Sequence, residues 1–261
     1  MEQQPDPFEL RHLVPEDPDE PPPVELGSTG DVIPWGSALM LLAWALVFAL
    51  MAFRGELSDS ASLIAWGASL SGPGADRSAW RLLGSTFVHG GAAHVFFNAL
   101  TMLVFGPALE RVFTLWGFLL VYAVGGAVAS EASILWRTWR TPDTFILSVG
   151  ASGAIFALGG GLLAAAFRLR RTLAPGRARA LAGAMLFLVG QGLASGVTRH
   201  GTDNAAHAAG LVTGLALGMV TPIRESLGGR GASPPQKALG GISGLALLAA
   251  FAVSLARGLR G

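Results

Sequence analysis

Four polar side chains stand inside long apolar stretches of this chain, where a polar group is costly and therefore invites a functional interpretation. Ser152 stands among glycines in the stretch GASGAIFALGG, and His207 is the only histidine of a later apolar run. His94 and Asn98 are four residues apart, so they would project from one face of a helix. A serine hydroxyl is inert until a base takes its proton, and a histidine can be that base. With His94 and Asn98 as donors to a developing oxyanion, these residue types could carry out acyl transfer.

The composition places these residues in a membrane protein. The chain has 261 residues, of which 51% are hydrophobic and only 13% are charged, and its mean hydropathy is +0.52. Soluble domains carry about a quarter charged residues, so this balance favours a polytopic membrane protein over a soluble enzyme. There is no cysteine, which excludes disulfides and thiolate chemistry. The net charge of +1 does not indicate a nucleic-acid partner.

The chain divides into a polar N-terminal segment and an apolar remainder. Residues 1–32 contain nine acidic residues, one arginine and seven prolines. Such a segment cannot bury enough apolar surface to offset the entropy of ordering, so it is predicted to be a disordered acidic, proline-rich cytoplasmic tail. It also lacks the basic start and apolar core of a signal peptide. Residues 33–223 are predicted to form a six-helix core, and residues 224–261 a linker and a seventh transmembrane helix.

The apolar remainder contains seven candidate membrane spans. A helix needs about 20 apolar residues to cross the hydrocarbon core of a bilayer. The candidates are 34–53, 91–113, 115–136, 147–167, 179–197, 204–222 and 238–257. Only Glu110, Arg111 and a short connection mark the boundary between the second and third spans. The predicted fold class is therefore an all-α polytopic helix bundle, with the long connection 54–90 as a loop partly inserted at the interface.

The basic residues predict an orientation, because short cytoplasmic loops carry an excess of lysine and arginine. The loop after the fourth span has the densest basic cluster: Arg168, Arg170, Arg171, Arg177 and Arg179. It is predicted to be cytoplasmic, and the loop after the sixth span, with Arg224, Arg230 and Lys237, would then be cytoplasmic too. This places the N-terminus inside and the C-terminus outside, although Arg257 and Arg260 near the C-terminus oppose it.

In this topology the four polar residues share one depth. The second, fourth and sixth spans all run from the outer surface inward. His94 and Asn98, Ser152 and His207 each lie one or two turns below the outer end of their span, at about 1.5 Å of rise per residue. Three helices thus bring a hydroxyl, an imidazole and a His/Asn pair to the same level.

Glycines near the polar residues would allow their helices to pack closely. Gly150 and Gly153 flank Ser152. One face of the sixth span carries Gly210, Gly214 and Gly218. His207 roughly continues that face, and small residues at this spacing let two helices approach closely. If the fourth and sixth spans pack through this face, Ser152 and His207 become neighbours.

Several motifs occur together in one order. The stretch WRLLGSTFVHGGAAHVFFNAL contains Trp80-Arg81 and then His89, His94 and Asn98 in an H-x4-H-x3-N pattern. GPALERVF has an acidic-basic pair at the end of the same span, GASGAIFAL contains G-x-S-G, and AAHAAGLVTGLALG contains A-H-x-x-G-x-x-x-G. In this combination the sequence resembles the rhomboid family of intramembrane serine proteases over about residues 34–222. The seventh span resembles the extra C-terminal helix of the six-plus-one rhomboids.

The resemblance implies a site within a rhomboid catalytic core at 33–223. Ser152 would be the nucleophile and His207 the general base of a serine–histidine dyad. His94, Asn98 and the backbone N–H of Ser152 would form the oxyanion site. No cofactor and no metal ion are expected.

The resemblance also implies supporting residues. His89 would be structural, near the loop. Family members often carry a tyrosine four residues after the serine, stacked on the catalytic histidine, and here that position is Phe156. The stacking face is kept while the hydroxyl is lost, so activity is expected to survive. Gly150, Gly153, Gly210 and Gly214 would support the site by close packing.

Each residue taken alone has a structural alternative. A serine, histidine or asparagine in a membrane helix is more often a packing or hydrogen-bonding residue than a catalytic one. Asp203 could orient His207 as in a triad, but an N-cap of the sixth span is favoured, with Thr202 as the rival cap. Glu131 could act in a proton or ion relay. The favoured interpretation is that its carboxylate lies near the outer end of the third span and is capped or paired with Arg137 or Arg140.

The predicted function is therefore an intramembrane serine endopeptidase that acts on single-span membrane proteins in the lipid bilayer. The alternatives are a catalytically silent rhomboid-like protein that binds membrane clients, and a small transporter. A silent relative would be expected to lack the serine or the histidine. A transporter predicts internal repeats and a charged pathway, which the sequence does not contain. The alanine-, glycine- and arginine-rich composition suggests the bacterial cytoplasmic membrane, with the active site near the outer face. The natural substrate, the role of the tail and the oligomeric state are left open.

Overall fold

The computed structural model describes residues 33–57, 59–171, 203–224 and 231–260, with isolated positions between 176 and 190. The predicted tail at 1–32 and most of the predicted fifth span at 179–197 lie outside these residues, as do Arg177 and Thr202. The described residues form helices α1 (Trp35–Phe53), α2 (Ser60–Trp66), α3 (Trp80–Gly84), α4 (Ala92–Arg140), α5 (Ser152–Arg168), α6 (Asn204–Val220) and α7 (Pro234–Gly258), and strands β1 (Ser69–Ser71) and β2 (Ile146–Ser148).

The predicted all-α helix bundle is confirmed. Among the described residues, α1, α4 and α7 are long and apolar enough to cross a membrane, and α5 and α6 are shorter apolar helices of 17 residues each. These five helices account for the predicted spans other than the fifth, because α4 contains both the second and the third.

Helix α4 is two arms joined at Thr114. This residue has φ 68° and ψ 170°, a backbone conformation that a β-branched residue rarely adopts. Leu109, before the break, and Val121, after it, both approach Gly161 of α5. The chain therefore reverses at Thr114, where the sequence predicted the boundary between two spans. The first arm is 92–113 and the second arm is 115–140.

Helices α5 and α6 pack through the predicted glycine face. Gly210, Gly214 and Gly218 are the buried glycines of α6. A Cβ atom on Gly210 would overlap the carbonyl of Gly153, and one on Gly214 would overlap the backbone of Ala157. Because no side chain separates them, the two backbones lie in direct contact.

The connection 54–90 is more ordered than the predicted interfacial loop. It contains α2, α3 and β1, and β1 pairs antiparallel with β2 in the register Ser69↔Ser148. Strands of three residues are too short for an alternating pattern to reveal them. The buried side chain of Arg81 fastens this region, because its Nη1 donates to the carbonyls of Ile64 at 2.7 Å and Ala68 at 3.0 Å. The loop thus supports β2, the strand that leads into Ser152.

Contacts define two ends of the bundle. At one end Arg168 donates to the carbonyls of Gly218 and Thr221 at 2.7 Å each, and Gln236 donates to the carbonyl of Phe113. At the other end, that of α2, α3 and Ser152, Ser254 near the end of α7 donates to the carbonyl of Trp66. Helix α7 therefore runs along the whole height of the bundle.

Candidate active site

Ser152 occupies the first position of α5, immediately after a glycine turn. Strand β2 ends at Ser148, and Gly150 has φ +115°, which only glycine adopts without strain. The N-cap residue Ala151 makes no side-chain cap. The first backbone N–H groups of a helix have no partner within the helix. The backbone N–H of Ser152 is therefore placed to donate a hydrogen bond to a group that approaches the Ser152 hydroxyl.

His207 lies opposite this hydroxyl. The Nε2 atom of the imidazole is 2.8 Å from the Oγ of Ser152, and the histidine is only 5% exposed. A neutral imidazole accepts through one nitrogen, so it can take the hydroxyl proton along this contact. The predicted meeting of Ser152 and His207 is present, because α6 packs on α5 through its glycine face.

Phe156 stacks on the imidazole. The ring centroids are 4.1 Å apart and the planes differ by 5°. Phe156 lies one turn after Ser152 on α5, so a single helix supplies both the hydroxyl and the surface against which His207 rests. The structure thus contains the ring contact that was expected between Phe156 and His207.

Asp203 caps α6 and makes no hydrogen bond to the imidazole. Its carboxylate accepts from the N–H of Ala206 at 3.1 Å, which confirms the predicted N-cap. The Nδ1 of His207 is buried and has no hydrogen-bond partner among the described residues. Burial acts to raise the pKa of Asp203, but hydrogen bonds from Ser133 and the charge of Arg137 outweigh it and hold the pKa below its usual value. The arrangement is thus a serine–histidine pair without a carboxylate on the imidazole.

His94 and Asn98 lie beside the turn before Ser152. A Cβ atom on Gly150 would lie 2.5 Å from Cε1 and Nε2 of His94 and 3.6 Å from Nδ2 of Asn98. Asn98 is buried, and its Nδ2 has no hydrogen-bond partner among the described residues. A buried N–H donor without a partner is energetically costly unless another group, such as a bound substrate, accepts a hydrogen bond from it. Both donors therefore flank the space next to the Ser152 turn, as the sequence predicted.

His89 lies outside this group, in the loop before α4. It is buried, with its ring 5.4 Å from the ring of Trp44 and 5.2 Å from that of His94. Burial lowers the pKa of His89 to about 3, with the neighbouring His94 adding to the effect, so the ring stays neutral. It packs behind His94, which fits the structural role that the resemblance implied.

A small cavity lined in part by hydroxyl groups adjoins Ser152, and sequence reasoning did not find it. Its hydroxyl-bearing lining residues are Ser69, Thr86, Ser85, Ser130, Ser133, Ser148 and Ser152. They come from β1, the two residues after α3, the second arm of α4, β2 and the first position of α5, so no local spacing connects them. The pairing of β1 with β2 brings Ser69 to Ser148, and the packing of α4 brings Ser133 to Ser148. Strands of three residues leave no pattern from which this could be predicted.

The predicted partners of Glu131 are wrong. Glu131 accepts from Arg77 at 2.9 Å, whereas Arg137 bonds to Asp203. On a helix, residues three or four apart share a face, and Arg137 is six residues from Glu131. The side chain of Arg140 lies instead near the rings of Trp136 and Trp139, 5.8 and 6.0 Å from their centroids. Among the described residues no cluster of histidine and carboxylate side chains is placed to hold a metal ion.

The fold and site are those of a helical membrane protein with a serine–histidine pair beside two side chains that can donate, His94 and Asn98. Comparison with known proteins identifies the family. The family model of the Rhomboid domain matches residues 76–224, more than half of the chain. The chain belongs to the rhomboid family, and it is an integral membrane protein.

Three relatives illustrate the similarity. RHOMBOID-like protein 4 of Arabidopsis thaliana is 36% identical over 187 residues, which are 67% of this chain and 45% of the relative. Rhomboid protease GluP of Bacillus subtilis (strain 168) is 31% identical over 177 residues, 68% of this chain and 33% of the relative. RHOMBOID-like protein 1 of Arabidopsis thaliana is 34% identical over 149 residues, 57% of this chain and 36% of the relative. The aligned region thus spans less than half the length of these relatives.

Proposed function

We propose that the protein is an intramembrane serine endopeptidase that hydrolyses peptide bonds in or near the transmembrane segments of membrane-anchored substrates. The observation that carries the proposal is the contact of 2.8 Å between Nε2 of buried His207 and Oγ of Ser152. A packing serine needs no base, whereas a nucleophilic serine needs one at this distance. The similarity to a rhomboid protease supports the same reaction class.

In the proposed reaction Ser152 Oγ attacks the carbonyl carbon of the scissile bond while its proton passes to Nε2 of His207. The carbonyl oxygen becomes an oxyanion that accepts from Asn98, His94 and the Ser152 N–H. Collapse of this intermediate breaks the C–N bond, and His207 returns the proton to the leaving amine. A water molecule, deprotonated by His207, then hydrolyses the acyl-enzyme and regenerates the hydroxyl.

The imidazolium formed in these steps would be held by its surroundings instead of by a carboxylate. Phe156 stacks on the ring at 4.1 Å, and an aromatic face attracts a cation. Asp203 is committed to the helix cap. We therefore propose a catalytic dyad and not a triad.

We propose that the site opens near the outer face of the membrane. Ser152 begins α5, whereas Arg168 ends it, about 25 Å away at 1.5 Å per residue. Arg170 and Arg171 follow Arg168, and such basic residues favour the cytoplasmic side. The N-terminus would then be inside. A bacterial cytoplasmic membrane remains a prediction from composition.

The substrate is proposed to be a single-span protein whose helix unwinds near the outer interface. A helical peptide bond has its carbonyl engaged in the helix, so Ser152 can reach it only after local unwinding. Small, helix-breaking residues should therefore mark the cut site. Entry past the predicted fifth span involves residues outside the described part of the chain.

The test is cleavage of a panel of single-span reporters by the purified protein in liposomes, with cut sites mapped by mass spectrometry. Wild type should cleave, and Ser152→Ala and His207→Ala should both reduce cleavage to background while staying folded. Ser243→Ala, which alters a buried serine on α7, is the matched control and should cleave normally. A fluorophosphonate probe should label Ser152 in wild type only.

Asn98→Ala tests the oxyanion site in the same assay. Loss of one oxyanion donor should lower kcat by roughly 100- to 1000-fold. Full cleavage by Ser152→Ala would refute Ser152 as the nucleophile of the proposed protease, whereas reporters that associate with wild type without being cleaved would favour client binding. A normal rate in Asn98→Ala would remove only Asn98 from the mechanism.

A further inference from the structure

The carboxylate of Asp203 joins two helices at the edge of the site. One oxygen accepts from the N–H of Ala206 at 3.1 Å, within the first turn of α6. The other accepts from Arg137 on the second arm of α4, at 3.0 Å from Nη2 and 3.2 Å from Nε. That oxygen also accepts from the hydroxyl of Ser133. We name Ser133, Arg137 and Asp203 the Asp203 clamp.

We propose that the Asp203 clamp is a positioning device that fixes the first turn of α6 on α4 and thereby holds His207 opposite Ser152. The proposal rests on the proposed protease function. It assigns a role to three residues that touch neither the substrate carbonyl nor the reacting hydroxyl in the mechanism above.

The position of His207 explains why a clamp is needed. The glycine contacts of α6 begin at Gly210, whose Cβ would overlap Gly153, and they continue toward the end of the bundle that holds Arg168. His207 lies three residues before Gly210, in the first turn of the helix, where backbone groups lack full helical partners. A first turn left without a cap frays, and the imidazole would move with it.

Asp203 acts on this turn through both its backbone and its side chain. Its carbonyl accepts from the N–H of His207 at 3.0 Å, and its carboxylate accepts from the N–H of Ala206. Any displacement of Asp203 is therefore transmitted to His207 within the same turn. Arg137 and Ser133 prevent that displacement because they belong to a different helix.

The ion pair in the clamp differs from a surface pair. The side chains of Arg137 and Asp203 are 21% and 16% exposed, and both guanidinium contacts reach the same carboxylate oxygen. Charge-assisted hydrogen bonds of this kind are stronger than neutral ones. By contrast Glu131, on the same helix arm as Arg137, pairs with Arg77 from the loop before α3, and the side chains of Arg77 and Glu131 are 45% and 42% exposed. Exposed pairs contribute little.

Direct action of Asp203 on the imidazole is not required. Its oxygens are occupied by Ala206, Arg137 and Ser133, and no hydrogen bond joins it to the His207 ring. The clamp therefore controls where the base is located, and the acid–base step remains with His207.

The experiment measures kcat and KM for a single-span reporter in liposomes, per folded protein, for wild type and for Asp203→Ala, Asp203→Asn and Arg137→Ala. Misplacement by about 1 Å can cost 100-fold, so Asp203→Ala should lower kcat by about 10- to 100-fold with KM nearly unchanged. Asn is a good N-cap, so Asp203→Asn should restore part of kcat. The fluorophosphonate labelling rate of Ser152 should fall in parallel with kcat.

Two controls separate positioning from general destabilisation. Glu131→Ala breaks the exposed pair two residues from Ser133 and should leave kcat within about 2-fold of wild type. In the double variant Arg137→Ala/Asp203→Ala, kcat should be close to that of Asp203→Ala alone, because the two residues act as one unit.

The results that would overturn the Asp203 clamp differ from those that would overturn the proposed protease function. An inactive wild type, or an active Ser152→Ala, would overturn the protease itself. An active wild type with unchanged kcat in Asp203→Ala would overturn the clamp alone, as would independent, multiplicative losses in the double variant. If Asp203→Ala does not fold, Asp203→Asn and Arg137→Ala decide: a loss of thermal stability without a loss of kcat per folded molecule also overturns the clamp.

Discussion

Glycine brings backbones together in two regions of this molecule, the contact between α5 and α6 and the surface on which α7 docks. In the first, Gly210, Gly214 and Gly218 lie on successive turns, and a Cβ atom on any of them would collide with α5. In the second, close contacts are few and far apart. Gly240 meets the backbone of Trp116, and Gly258 meets the ring of Trp66 at the opposite end of the helix.

The two regions differ in which part of the geometry the glycine contacts determine. Three glycines in succession fix the separation and rotation of α6 against α5, and so the distance between His207 and Ser152. Isolated glycines at the two ends of α7 attach that helix to the bundle without bearing on the distance between any pair of site residues. Glycine thus determines the geometry of the candidate site in the first region and attaches α7 to the bundle in the second.

Gly214→Ala, in the contact between α5 and α6, is expected to have the largest effect. The new Cβ would overlap the carbonyl oxygen, carbonyl carbon and Cα of Ala157, all of them backbone atoms that cannot rotate away. The helices must separate, so we expect unfolding to become easier by about 1–3 kcal/mol or more and turnover per folded molecule to fall by about 100-fold. Thermal unfolding in detergent and reporter cleavage in liposomes measure the two effects. Near-normal turnover would show that this contact does not set the site distance.

Gly240→Ala applies the same substitution to the second region. Its Cβ would collide with the backbone of Trp116, so a stability loss of about 1–3 kcal/mol is expected here too. Turnover per folded molecule should stay within about 3-fold of wild type, because Trp116 lies beside the Thr114 reversal, at the end of the bundle away from Ser152. A loss of turnover as large as that of Gly214→Ala would contradict the distinction between the regions.

Gly241→Ala should have the smallest effect and serves as the matched control. Its nearest neighbour would be Cζ3 of Trp116 at 3.7 Å, an ordinary van der Waals contact. Alanine favours a helix over glycine by about 0.5–1 kcal/mol, so the unfolding temperature should stay the same or rise slightly, with unchanged cleavage. A drop comparable to that of Gly240→Ala would mean that backbone overlap is not the cause of the losses at the other positions.

Much of the fold could be predicted from local sequence. The five apolar helices, the reversal near residue 114 and the Asp203 cap all follow from apolar length, helical periodicity or capping preference, which neighbouring residues determine. The short strands and short helices were harder to predict. The strand β1 and the short helices α2 and α3 lie within the connection 54–90, which looked like a loop, and β2 lies at the start of the predicted fourth span. Each of these elements is stabilised by its contacts and not by its own pattern.

For the candidate site, the residues that could do chemistry, and their common level in the bundle, could be predicted from local sequence. A glycine face with a 3.6-residue period and a fixed membrane thickness leave Ser152, His207, His94 and Asn98 few other arrangements. The partners of the charged groups, namely Arg137 for Asp203 and Arg77 for Glu131, and the cavity beside the site could not be predicted in this way. Those contacts join segments up to 79 residues apart, as between Ser69 and Ser148. Helix packing and strand pairing select them, and no local pattern records that selection.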